Sequence, residues 1–111
     1  MPAPAEFVVR PCLDGSGRPL IEFRGDHRAG AYPQVLPALE QGLPGFAATL
    51  QVPAPEDFVW QCRFDGGEFE LCDDWNGLFI LPKDDAGRVI ETVAEALEKA
   101  AVFRRLDPDR A

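Results

Sequence analysis

The chain has 111 residues, of which 46% are hydrophobic and 27% charged, values typical of one globular domain with its own core. Its net charge of −8 at pH 7 disfavours binding to the phosphate backbone of nucleic acids. No apolar run reaches the roughly 18 residues that cross a bilayer, and the first residues lack the basic and apolar regions of a secretory signal, so we predict a cytoplasmic protein without a membrane segment.

The first predicted element is a β-hairpin. Two short segments rich in Val, Ile and Phe flank a Gly-rich turn at residues 14–17. A three-residue loop in this turn pairs Val9 with Ile21 and Phe7 with Phe23. Four large apolar side chains then share one face, and such a pattern fixes the register of a hairpin.

The next elements are a polar loop and a short helix. The helix is predicted over Pro33–Gly42, with Pro37 near its first turn, where proline is tolerated. Residues 46–52 fit two structures. Their alternation of apolar side chains favours a strand, whereas the pair of alanines favours a helix.

A second hairpin is predicted around Gly66-Gly67, because both residues accept the positive φ of a two-residue loop. This loop pairs Phe64 with Phe69 and Trp60 with Asp73. Side chains alternate along a strand, so one face is apolar and the other polar. The apolar face carries Trp60, Cys62, Phe64, Phe69 and Leu71. The polar face carries Gln61, Arg63, Glu68, Glu70, Cys72 and Asp74. Two of the three cysteines therefore lie on opposite faces and are not predicted to form a disulfide.

The last strand and the last helix follow the turn at Asn76-Gly77. The unbroken apolar run Leu78–Leu81 predicts a strand in the centre of the sheet or under the helix. A helix is predicted over Ala86–Phe103, capped by one of the two preceding aspartates. Its apolar stripe comprises Ile90, Val93, Leu97, Ala100 and Ala101. Residues 104–111 are predicted to be a frayed polar tail.

These elements predict a single α+β domain over residues 1–111. Its antiparallel sheet has about five or six strands, in the order hairpin, short helix and meander. The C-terminal helix packs on one face of this sheet, over the side that carries Trp60 and Leu71.

The sequence contains no catalytic, metal or cofactor motif that predicts a reaction. His27 is the only histidine and lies beside Asp26, with Tyr32 nearby, so an enzyme that uses His27 is the least favoured hypothesis. The segment Asp73–Gly77 has oxygen ligands and a glycine, but not the spacing of a calcium loop. Hairpin-turn chemistry explains it better, and we predict no metal and no cofactor.

The acidic charge is concentrated in the middle of the chain. Residues 32–82 contain eight carboxylates and one arginine, a net charge of −7 that would attract a basic partner protein. Trp75, at a turn tip, is either a contact residue of such an interface or folds back over Phe58. The candidate contact residues are Arg63, Glu68, Glu70, Asp74 and Trp75.

The layout of two or three hairpins followed by a helix resembles many small bacterial proteins. Some of these are toxin-neutralising immunity proteins, which are often small and acidic, and the resemblance implies binding to a partner protein. We therefore predict a non-enzymatic module that presents an acidic sheet face to a basic partner. The alternatives are an immunity-like protein and a self-associating structural module, so the protein is expected to be a monomer or a homodimer.

Overall fold

A computed structural model describes residues 5–12, 15, 17–55, 57–74, 77–83 and 86–107. Within these residues the chain forms a mixed α+β fold with one seven-stranded sheet and two helices. The strands are β1 (Ala5–Pro11), β2 (Pro19–Phe23), β3 (Ala47–Ala54), β4 (Asp57–Phe64), β5 (Gly67–Asp74), β6 (Gly77–Pro82) and β7 (Phe103–Leu106). The helices are α1 (Val35–Gly42) and α2 (Ala86–Lys99). Across the sheet the strand order is β3-β4-β5-β6-β2-β1-β7.

The sheet is mostly antiparallel, as predicted, but it has more strands than expected. Residues 46–52, which fitted two structures, contribute to strand β3. The second addition is β7, which pairs in parallel with β1. The predictions of a helix to Phe103 and of a tail from residue 104 are therefore wrong for this segment, and residues 108–111 lie outside the described part of the chain.

The C-terminal end of α2 explains how β7 arises. α2 ends at Lys99, and Ala101, two residues later, has a φ of 64°, a left-handed conformation that does not continue a helix. The next residue, Val102, accepts a backbone hydrogen bond of 3.0 Å from Ala5 N–H, which brings the chain alongside β1. Parallel pairing of β7 with β1 then starts at Phe103.

The register of the first hairpin is confirmed. Val9 lies opposite Ile21 and Phe7 opposite Phe23, and three of these four side chains are buried. The two phenylalanine rings are 6.1 Å apart between centroids. Local alternation and a Gly-rich turn thus determine this register without help from distant residues.

The register of the second hairpin differs from the prediction by two residues. Phe64 lies opposite Gly67 rather than Phe69, and Trp60 lies opposite Leu71 rather than Asp73. The observed register places Gly67 beneath α2, where a side chain has no room. A Cβ on Gly67 would lie 2.7 Å from a methyl carbon of Val89. The turn in this register is Asp65-Gly66. A shift of two residues leaves every side chain on its predicted face.

Both helices lie on the same side of the sheet. Both helices and the inner face of the sheet contribute to the buried core, which includes Phe7, Ile21, Phe69, Ile80, Leu39, Ile90, Val93 and Leu97. α2 contacts β5, β6, β2 and β7, and α1 packs against α2. The predicted apolar stripe of the helix is confirmed except at Ala101, which is exposed because the helix has already ended.

Strand β6 is the fourth of the seven strands, so its predicted central position is confirmed. Its apolar run does not have two equally covered faces. Leu78 and Ile80 are buried under the helices, whereas Phe79 and Leu81 are only half-buried on the other side. The side of the sheet opposite the helices is called the open face below.

The contact between α1 and α2 predicts the effect of two glycine substitutions. A Cβ on Gly42 would lie 2.7 Å from Cβ of Ala96 in α2, so the helices would have to move apart. We expect Gly42→Ala to lower the free energy of unfolding by about 1–3 kcal/mol, measured by urea denaturation.

The matched control is Gly87→Ala, in the first turn of α2. No atom lies within 4 Å of the position of its Cβ, so we expect this variant to be as stable as the parent or more stable by up to about 1 kcal/mol. Equal effects of the two substitutions would contradict the close approach of α1 and α2.

Candidate functional site

A cleft of about 340 Å³ opens on the helix side of the sheet, beyond the part that α2 covers. One wall is the loop that precedes α1, together with the start of that helix, and the other wall is formed by β4, β5 and β6. Trp60, Leu71 and Leu78 form the apolar surface of the strand wall. Three polar side chains, His27, Arg28 and Asp73, line the same cleft.

The side chains of His27 and Arg28 converge on one carboxylate oxygen of Asp73. Oδ1 of Asp73 is 2.7 Å from Nε2 of His27 and 3.2 Å from Nε of Arg28. A carboxylate is an acceptor, so Nε2 of His27 carries a proton and donates it to Asp73. The side chains of Asp73 and His27 are only 20% and 9% exposed. The cluster therefore fixes the loop to β5 in a partly dry environment, where charged hydrogen bonds are worth most.

The loop is also folded on itself. Backbone N–H of Arg28 donates to Oδ1 of Asp26 at 3.1 Å, a local turn in which an aspartate stabilises the chain two residues later. The hydroxyl of Tyr32 donates to the backbone carbonyl of Arg24 at 2.8 Å. Burial raises the pKa of Tyr32 to about 12, so this hydroxyl stays protonated and keeps its hydrogen bond at neutral pH.

The hypothesis of an enzyme that uses His27 named the wrong acidic partner. His27 and Tyr32 do line one cleft, but Asp26 turns away from it and the carboxylate at His27 belongs to Asp73. A signal for Asp73 exists in the sequence. Asp73 stands two residues after Leu71 and four after Phe69, so its side chain points to the apolar face of the strand. A charge on that face requires a partner.

The open face carries most of the predicted contact residues. Directly paired side chains point to the same side of a sheet, and Val59, Cys72 and Phe79 form such a row across β4, β5 and β6. All three are half-buried. Glu70 and Asp74 flank Cys72 along β5.

The remaining predicted residues extend this row. Arg63 and Glu68 lie opposite each other, and both are exposed. We call Arg63, Glu68, Glu70 and Asp74 the acidic patch. The structure thus brings four of the five predicted contact residues to one face, whereas Trp75 lies outside the described residues.

On the other half of the open face, side chains of opposite charge pair with one another. Arg10 donates to Glu22 at 3.1 Å, Arg24 also approaches Glu22 at 3.7 Å, and Arg104 pairs with Glu6. Beneath these side chains Val8 is only 1% exposed. Long arginine stems cover apolar surface while their charged ends reach solvent. These paired charged side chains cover β1 and β2 on the open face. The acidic patch instead borders the row of Val59, Cys72 and Phe79, which remains accessible.

All three cysteines are free thiols. Burial raises the pKa of Cys62 to about 12. The pKa of Cys72 rises to about 11, first through burial and then through the charges of Glu70 and Asp74. Desolvation, the larger cause, and the neighbouring carboxylates thus both suppress the Cys72 thiolate.

In the segment Asp73–Gly77, Oδ1 of Asp74 accepts a hydrogen bond of 3.1 Å from Gly77 N–H, a contact typical of a hairpin turn. In the described part of the chain, no three His, Cys, Asp or Glu side chains are grouped closely enough to hold a metal ion. Among the same residues, neither helix has the length and apolar character needed to cross a membrane.

Comparison with protein-family models, curated proteins and solved structures finds no match to this chain.

The Asp73 cluster predicts that one carboxylate holds the loop before α1. Asp73→Asn keeps the shape of the side chain but removes the charge that His27 and Arg28 contact. We expect a loss of about 1–2 kcal/mol in the free energy of unfolding and faster amide hydrogen exchange over residues 25–34. Glu68→Gln, an exposed position on the same strand, is the control and should change neither quantity. Unchanged exchange in the loop of Asp73→Asn would show that the cluster does not hold it.

The raised pKa of Cys72 predicts slow alkylation. Only the thiolate reacts, so iodoacetamide at pH 8 should label Cys72 in the native protein roughly 100-fold more slowly than in the urea-unfolded chain, measured by peptide mass spectrometry. Glu70→Gln should accelerate native labelling, because it removes one of the charges that raise this pKa, whereas Glu68→Gln should not. Equal native and unfolded rates would contradict the burial of this thiol.

Proposed function

We propose that this protein is a non-enzymatic binding module that presents the β4–β5–β6 part of its open face to a basic partner protein. The observation that carries the proposal is the accessible row of Val59, Cys72 and Phe79 bordered by the acidic patch. Protein interfaces commonly combine an apolar centre with a polar rim. Here the rim is acidic on the side of β5.

The charge of this region supports a partner of opposite sign. The acidic patch contains three carboxylates and one guanidinium, Arg63. On the other half of the face, Glu6 and Glu22 are balanced by arginines. A basic protein would therefore be steered towards β5 rather than towards β1, and the attraction would weaken as salt is added.

We also propose a cytoplasmic location, which the three free thiols fit, because reducing compartments keep cysteines unpaired. Neutralisation of a basic toxin would be one form of this function. In that case the acidic patch would occupy the toxin's cationic surface and block it.

The proposal is tested with a defined basic probe. We suggest a synthetic peptide of alternating lysine and leucine, followed by NMR titration of the labelled protein at low and high salt. We expect shifts centred on β4, β5 and β6, with affinity that falls as salt rises. In the double variant Glu68→Lys/Glu70→Lys, binding at low salt should weaken at least tenfold, since four units of charge change at the contact.

The control is Glu95→Lys/Glu98→Lys, which makes the same change of net charge on the exposed side of α2. This variant should bind the peptide nearly as well as the parent, because the altered charges lie on the opposite side of the sheet. Equal loss of binding in both double variants would mean that net charge alone governs the interaction. Shifts spread over the whole surface would count against a site on the open face.

A further inference from the structure

Strand β3 is an exposed sheet edge without charged side chains. It is the first strand of the sheet order, and among the described residues it pairs with β4 alone. Every β3 residue whose side chain is described is exposed, and Leu50 and Val52 are 48% and 55% accessible. The strand lies in the longest uncharged stretch of the chain, residues 41–55. One row of its backbone N–H and C=O groups is thus open to another extended segment.

The opposite edge of the same sheet shows how an edge is usually protected. β7 has only four residues, and two of them are arginines. Arg104 pairs with Glu6 and Arg105 with Glu91 of α2. Short length and charged side chains are the common means by which proteins prevent edge-to-edge pairing. β3 has eight residues and carries no charge, and its pairing with β4 is regular from Ala47 to Gln51, before a register shift that precedes Ala54.

We infer that β3 pairs with β3 of a second copy of this chain, so that two sheets join into one across a two-fold axis. The first argument is the backbone, because an unpaired sheet edge is complementary to another extended strand. The second is the side chains. Antiparallel pairing centred on Leu50 sets this residue opposite its own copy and Ala48 opposite Val52 of the second copy. On the other face Thr49 lies opposite Gln51 of the second copy, so every pair matches in polarity.

Charge favours this edge as the contact between two copies. Each chain carries a net charge of −8, so two copies repel each other at most surfaces. Pairing through β3 places no like charges opposite one another, since residues 47–53 are uncharged. The contact also extends the apolar surface that Leu50 shares with Trp60, the residue directly opposite it on β4.

The size of the contact sets the expected strength. One pair of short strands buries less than the roughly 1,200 Å² of stable interfaces, so the dimer should be reversible and dependent on concentration. The sequence analysis named a self-associating module as one alternative, and pairing through β3 would be a specific form of it. The edge of β3 is a separate surface from the open face, and this inference does not rest on the proposed basic partner.

The test is the mass of the protein in solution as a function of concentration. By sedimentation equilibrium between about 10 μM and 1 mM, the weak-binding range, the parent protein should rise from 12.2 kDa towards twice that mass. Leu50→Lys places a charge at the centre of the pair and should remain at 12.2 kDa throughout. Val102→Lys is the matched control, because Val102 is also an exposed apolar residue, 45% accessible, and lies near the opposite edge. It should associate like the parent.

Three outcomes would overturn the inference: a parent protein that stays monomeric over the whole range, a Leu50→Lys variant that still dimerises, or equal loss in both variants. Val52→Lys provides a second edge variant if Leu50→Lys proves unstable by circular dichroism. Amide hydrogen exchange supplies an independent readout, since β3 should gain protection at high protein concentration and the open face should not. A dimer abolished by Glu68→Lys/Glu70→Lys and retained by Leu50→Lys would assign the contact to the open face instead.

Discussion

The length of α2 relative to the width of the sheet is the constraint on which the rest of the structure depends. A helix of 14 residues is about 21 Å long, whereas seven strands spaced about 4.8 Å apart span about 29 Å. α2 packs mainly on β7, β2, β6 and β5, so the β4 and β3 end of the sheet is less covered by this helix. The cleft beside Trp60 and the exposed side chains of β3 both lie in the less covered part. The helix thereby determines which surfaces of the inner face remain available for binding.

Much of the fold could be predicted from the sequence because it is encoded locally. The register of the first hairpin follows from alternation and a turn, and the faces of the second hairpin follow from alternation alone. The features that could not be predicted depend on distant residues. β7 forms only because β1, almost a whole chain length away, offers an edge. The shift of two residues in the second hairpin places Gly67 beneath α2, close to Val89, and no local pattern reveals this distant neighbour.

The candidate site also combines features that the local sequence predicts with features that depend on distant residues. The sequence grouped Arg63, Glu68, Glu70 and Asp74 correctly, because a strand and its turn define their face. It counted Asp73 with the same acidic region, but this carboxylate points to the opposite side of the sheet and is paired with His27 and Arg28. The pairing partner of a side chain is a tertiary property. The net negative charge on the open face is therefore smaller than the net charge of −7 summed over residues 32–82. It is concentrated on the part of that face formed by β4 and β5.

The parallel pairing of β7 with β1 has a mechanical consequence. Ala5 begins β1, Leu106 ends β7, and both strands run in the same direction. Opposite pulls on these two ends of the chain act along the strands and load the backbone hydrogen bonds of the pair together, in shear. Pulls across the strands would instead break such bonds one after another. The four residues of β7 therefore resist tension best when Ala5 and Leu106 are pulled apart along the direction of the strands.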